Sequence, residues 1–192
     1  SVTNTQNISL GGANAFTGAV TLLAGSGSDA FGNITFRDDS AVKLDGNADA
    51  AGDLFLDAGT NGAVGGSLSV TADAGNITQG VALNVTGTSA FTTSADDADI
   101  TLTQANALTG AVTFSSTDTN TDNAEDIDLT NSIAVVLGGS TNTGTLDVIA
   151  TTGNITQKGA LNVGGASSFT VDAAGSNIVL GGANAFSGAV TL

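Results

Sequence analysis

What most constrains this chain is that it repeats itself. Residues 7–22 read NISLGGANAFTGAVTL and residues 177–192 read NIVLGGANAFSGAVTL, two substitutions apart. A third copy, DITLTQANALTGAVTF, runs from Asp99 to Phe114. Ile178 therefore stands 78 residues after Ile100, which stands 92 after Ile8. Other landmarks keep the shorter offset: Gly75-Asn-Ile-Thr-Gln79 returns as Gly153-Asn-Ile-Thr-Gln157, and Ala82-Leu-Asn-Val85 with Phe91 returns as Ala160-Leu-Asn-Val163 with Phe169. Repetition this close has no purpose in a closed sheet. A solenoid requires it, because each unit exposes an apolar face that only its neighbour can cover.

The chain reads as one continuous repetitive segment over 1–192, with modules 8–99 and 100–177 and a third beginning at 178. Leu44 to Leu68 spans 24 residues where Leu137 to Leu146 spans 9, so the first module carries 15 extra residues. They include Asp45-Gly-Asn-Ala-Asp49 and Leu54-Phe-Leu56, and are expected to project from the rod or to widen one turn of it. Neither end carries a polar, atypical capping sequence, so the array is expected to continue on both sides.

Apolar-x-apolar triplets punctuate the modules, among them Ile8-Ser-Leu10, Ile34-Thr-Phe36, Leu68-Ser-Val70, Ile100-Thr-Leu102, Ile127-Asp-Leu129, Leu146-Asp-Val148 and Val190-Thr-Leu192. A period of two with β-branched residues marks short half-buried strands, and helical spacing is sustained nowhere. Gly-Gly and Asn/Asp/Ser clusters between the triplets supply corners. Such short strands need stacked coils to bury a core. The predicted fold is all-β, a parallel β-helix (β-solenoid), in tandem modules of about 78 residues. Two strands per coil would give about 20 residues per coil, on the order of 10 coils and a rod of about 45–50 Å. An antiparallel sandwich is the competing arrangement.

The pattern I-x-L-x-x-A-N-x-F-x-G-x-V-x-L, followed by G-N-I-T-Q and A-L-x-V, resembles the repeats of bacterial large exoproteins and adhesins of the filamentous-haemagglutinin type. That resemblance covers nearly the whole chain. It implies right-handed parallel β-helices, an extracellular or bacterial cell-surface location, export by two-partner or related secretion, and roles in adhesion, biofilm or filament formation.

Composition bears on chemistry and partners. Among 192 residues there are 18 acids against 3 bases, a formal net charge of −15, which disfavours nucleic acid and anionic membrane surfaces. No run of 18 apolar residues occurs, so no membrane insertion is expected. His, Cys, Tyr, Trp and Met are absent, leaving carboxylates as the only acids and bases. Catalysis would need a positioned carboxylate pair in a cleft, so no enzyme is expected. Right-handed β-helices do host polysaccharide-acting enzymes, and Arg37, Asp38, Asp39 and Lys43 form the one mixed-charge cluster; a surface salt bridge is its expected role.

The Asp- and Asn-rich loops are expected to be solvated turns, with a weak calcium site as the sharper alternative, since hard cations want several oxygens on one loop. Two loops read D-x-N-x-D, namely Asp45, Asn47, Asp49 and Asp118, Asn120, Asp122, with Glu125 and Asp126 following the second. Neither has the glycine at position six or the glutamate at twelve of an EF-hand. Sequons occur at Asn7, Asn33, Asn76, Asn84 and Asn154, each before or entering a strand, where Asn suits a corner. Phe16, Leu108 and Phe186 share one slot and are expected to be core or corner-packing residues. A flat Thr array that could bind ice is expected to be interrupted by Asp128, Asp147 and Asn162.

The expected function is a structural shaft segment of a secreted fibre or adhesin that self-associates end to end or stacks on neighbouring repeats, with a host or matrix surface as a further partner. The alternative is a calcium-dependent binding module.

Overall fold

A computed structural model describes residues 7–12, 14–16, 20–23, 33–40, 42–45, 53–57, 63–64, 66–116 and 125–192. They form two long parallel sheets with no helix. The first runs from Ile8–Leu10 through Ile34–Asp38, Leu68–Ala72, Ser89–Thr93, Ala111–Ser116, Val135–Asn142 and Ile155–Gln157 to Ile178–Val179. The second runs through Val20–Leu23, Asp53–Asp57, Val42–Asp45, Ile77–Gln79, Ile100–Leu108, Ile127–Asn131, Leu146–Ala150, Ser167–Val171 and Val190–Thr191. Each coil contributes strands to both sheets and stacks in parallel on the next, so the chain is a β-solenoid, as its triplets predict.

Side-chain alternation explains the core. Strands Leu68–Ala72, Ser89–Thr93, Ile127–Asn131 and Leu146–Ala150 each bury every second residue. The inward ranks stack along the axis into ladders in which Ile100, Ile127 and Leu146 are fully buried neighbours. Phe91 lies over Phe114 with centroids 6.0 Å apart, and Phe169 meets Phe186 edge-on at 6.2 Å. Leu108 is buried, while Phe16 and Phe186 pack against the core from its ends, as their shared slot predicts.

The coil is longer than the spacing of triplets suggests. Partners on adjacent rungs lie between 19 residues apart (Ile127 to Leu146) and 27 (Ile100 to Ile127) in the second module. Short strands such as Asn84–Val85, which pairs with Ala107 and Leu108, form a further ladder at the corner, so a coil holds more than two strands. The first sheet therefore has eight strands along its path rather than ten rungs, about 34 Å at 4.8 Å per step. Of the extra residues of the first module, the described strand Asp53–Asp57 enters the second sheet out of order, between Val20–Leu23 and Val42–Asp45. Residues 46–52 and 58–62, on which the expectation of a projection or a widened turn falls, lie outside the described residues.

Each module closes on a half-integral number of coils. Ile8 aligns with Ile34, Leu68 and Ser89 on the first sheet, and its module equivalent Ile100 falls on the second. Ile100 in turn aligns with Ile127, Leu146 and Ser167, and the next equivalent, Ile178, is back on the first sheet. A module is thus three and a half coils, and equivalent residues of consecutive modules face opposite sides of the rod.

Truncating a ladder aromatic removes contacts to the rungs on both sides. Phe114→Ala, at a site 1% exposed, is expected to destabilise the fold by about 3–5 kcal/mol in urea unfolding.

Candidate functional surface

The two motifs that define the repeat meet in space. Asn106, fully buried, accepts from the Leu83 amide at 2.8 Å and donates to the carbonyls of Leu102 and Thr130, both at 3.0 Å. It also exchanges hydrogen bonds with Gln79 of the preceding coil, whose Oε1 accepts from Asn106 Nδ2 at 3.2 Å and whose Nε2 donates to Asn106 Oδ1. Asn184 and Gln157 repeat this clasp half a turn away, with Asn184 accepting from the Leu161 amide at 3.0 Å. The Gln of G-N-I-T-Q and the Asn of A-N-x-F are the two halves of an inter-coil bolt. Asn14 occupies the same slot, donating to Leu10 and Arg37 carbonyls.

The residue before each triplet forms a second ladder at the corner. On the second sheet the Asn76 side chain accepts from the Asp99 amide at 2.9 Å, Asp99 from Asp126 at 3.0 Å, and Asp126 from Thr145 at 2.8 Å. On the first sheet Asn7 accepts from Asn33 and Asn33 from Ser67, at 2.9 and 2.8 Å. Asn154 does the same for Asn177 at 2.8 Å. Sequon residues Asn7, Asn33, Asn76 and Asn154 are thus corner residues, as their positions predict, and Asn84 is an exposed strand residue. Glycine columns mark other corners: a Cβ on Gly87 or Gly110 would overlap the backbone carbonyl oxygen of the glycine one coil earlier.

Outward side chains make two faces of different character. On the first sheet Thr35, Ser69, Ala90 and Thr113 form one rank, and Thr71, Thr92, Ser115 and Thr141 another. Arg37 begins the second rank and is neutralised by Asp73 at 2.8 Å. On the second sheet the rank reads Thr101, Asp128, Asp147, Ser168, Thr191. By module position Thr35 corresponds to Asp128 and Ser69 to Asp147, while corner residues Asn7 and Asn33 correspond to Asp99 and Asp126. Divergence at four equivalent positions has made one face acidic and left the other uncharged.

The acidic face is strained electrostatically. Burial pushes the Asp128 carboxyl above its ordinary range, and repulsion from Asp147, Asp126 and Asp99 adds to the shift. A groove of about 280 Å³ runs beside it, lined by Asp128, Asp147, Ser167 and Thr191 among others. Within it Asp147 Oδ1 and Ser167 Oγ are buried without a hydrogen-bond partner among the described residues.

Of the two D-x-N-x-D loops, Asn47, Asp49, Asp118, Asn120 and Asp122 lie outside the described residues, and Asp45 is described only as the end of the backbone strand Val42–Asp45. Among the described residues no three acids are grouped as metal ligands. Glu125 is buried; its Oε2 accepts from Thr143 Oγ1, and its Oε1 has no partner among the described residues. The mixed-charge cluster divides. Arg37 points outward to Asp73, whereas Asp38 turns inward and accepts from the Phe16 and Asp39 amides and the Ser40 hydroxyl, at 3.1, 2.9 and 2.8 Å. It fills the position of Asn131, which accepts from the Leu108 amide at 2.9 Å. Lys43 is described only as backbone in its strand.

Two measurements follow from these contacts. Asn106→Leu removes the acceptor of the Leu83 amide and a donor from each of two carbonyls in a buried site, so a loss of at least about 2 kcal/mol is expected in urea unfolding, while Asn162→Leu at an exposed site is expected to stay within about 0.5 kcal/mol. Asp128 takes up a proton more readily folded than unfolded, so its charging lowers stability as pH rises through its raised pKa. Asp128→Asn is expected to melt higher than the parent at pH 7, and the two melting curves should converge as pH falls below the ordinary carboxylate range.

No curated protein and no solved structure matches the chain. The profile of a family described as repeats of unknown function, DUF5649, matches residues 31–115 and again 120–192. Its two copies tile the rod in a different phase from modules beginning at Ile8 and Ile100, as any cyclic array allows. The chain belongs to the DUF5649 family of repeats.

Proposed function

We propose that this chain is a shaft segment of a secreted extracellular fibre or adhesin, whose work is to hold a fixed length and stiffness outside the cell. The observation that carries this reading is the phase of the repeat: after two modules the sequence of residues 7–22 recurs at 177–192 on the same two sheets. Ile8 and Ile178 both lie on the first sheet, and Val20 and Val190 on the second. Modules of this kind extend a rod indefinitely without a change of register, each coil supplying the hydrogen-bond partners of the next. An identical rung can also be offered by another copy, which supports end-to-end growth into filaments. The likeness of the repeat to those of filamentous-haemagglutinin-type exoproteins supports an extracellular or bacterial cell-surface location.

The chain's surface chemistry fits a structural role. Outward positions of the first sheet are mostly Thr, Ser and Ala, and the Asn–Gln clasps and the corner ladders join one coil to the next. Electron microscopy of the material isolated from its source is expected to show uniform rods or filaments with a repeat near 4.8 Å along the axis. Compact particles without that axial repeat would overturn the shaft reading.

A further inference from the structure

The uncharged face is an exception in a chain of net charge −15. Across eight rungs of the first sheet no carboxylate occupies an outward strand position, and the one cation, Arg37, is paired with Asp73. The opposite face carries Asp128 and Asp147 on adjacent rungs, with Asp99 and Asp126 at its corner. Two copies of so acidic a chain repel one another over most approaches, and the repulsion is least where no charge is present. The same face is built of small side chains on a continuous parallel sheet, which lets two sheets approach to the usual spacing of about 10 Å. Toward one end it adds apolar surface, with Val136 and Thr156 in register and Val179 beyond them, 55% exposed.

We infer that the rods pair side by side through the uncharged face of the first sheet, the occupant of that face being the same face of a second copy. Eight rungs by about five residues give roughly 600 Å² per copy and about 1,200 Å² in all, at the lower bound of specific interfaces. One chain therefore forms a weak, reversible dimer, and longer arrays bind more tightly as the paired length grows. The contact is two-fold and self-complementary, so it closes at two copies. The acidic face keeps the outside of the pair soluble and prevents stacking into larger sheets. This pairing rests on the shaft reading and specifies how shafts are bundled.

The module correspondence supplies the substitutions that test it. Thr35→Asp with Ser69→Asp places on the first face the residues that the next module already carries at Asp128 and Asp147, where the solenoid accommodates them. In sedimentation velocity at rising concentration, the parent chain is expected to show a reversible dimer. It should strengthen with salt, because screening removes the net repulsion while the contact itself is uncharged. The double substitution is expected to raise the dimerisation concentration at least tenfold, with an unchanged β circular dichroism spectrum. The reciprocal pair, Asp128→Thr with Asp147→Ser, removes the two adjacent strand carboxylates of the opposite face and is expected to carry assembly past the dimer. A parent chain that sediments as a monomer at every concentration and salt, or a dimer that neither pair of substitutions moves, would overturn the inference. Either result with intact rods in micrographs defeats the pairing alone, whereas an absence of rods defeats the shaft reading.

Discussion

Hydrogen bonding along the axis is the constraint on which everything else depends. Most of the strands have two to five residues, too little side-chain contact to hold a sheet by themselves, so each coil relies on the coils above and below for its backbone partners. That arrangement is unforgiving at corners, where chain direction changes and backbone groups would otherwise be lost to the ladder. The chain resolves this with side chains that imitate backbone: Asn76, Asp99 and Asp126 each accept the amide that begins the next strand. The Asn106–Gln79 clasp does the same across a wider bend, and its burial makes every one of its bonds consequential.

The sequence was most informative where physics imposes a simple period. Triplets such as Ile127-Asp-Leu129 and Leu146-Asp-Val148 became strands with alternate burial, because a two-residue period admits one solution when a single face is wet. Coil length was not legible, since it depends on how many residues the corners consume, and the short ladder through Asn84–Val85 absorbs residues that carry no triplet signal of their own. The inward turn of Asp38 was hidden because a carboxylate beside Arg37 and Asp39 looks like surface. Its module equivalent Asn131 was the available clue, since a position that alternates between Asp and Asn across repeats is one that needs an acceptor. The half-coil phase could be found only by placing both modules on one axis.

Repetition usually implies that a rod looks the same on all its sides, and here it produces the opposite. Because equivalent positions of adjacent modules point in opposite directions, sequence divergence between modules is converted directly into a difference between faces. Thr35 and Ser69 against Asp128 and Asp147 are two such pairs, and the corner residues Asn33 and Asp126 make a third. The acidity of the second face is therefore a property of where module boundaries fall in the coil. Burial, with the nearby Asp147, Asp126 and Asp99 adding to it, raises the proton affinity of Asp128 on that face.

The same three-and-a-half-coil module imposes a parity rule on how such genes can change length. Tandem repeats gain and lose units by unequal recombination, and in a solenoid with whole-number modules any such event would simply lengthen or shorten the rod. In this chain, inserting or deleting one module rotates everything downstream by half a turn and exchanges its two faces, while changing the count by two leaves every downstream residue facing as before. Any partner that engages one side of the rod along its length would thus tolerate even steps in module number and be disrupted by odd ones.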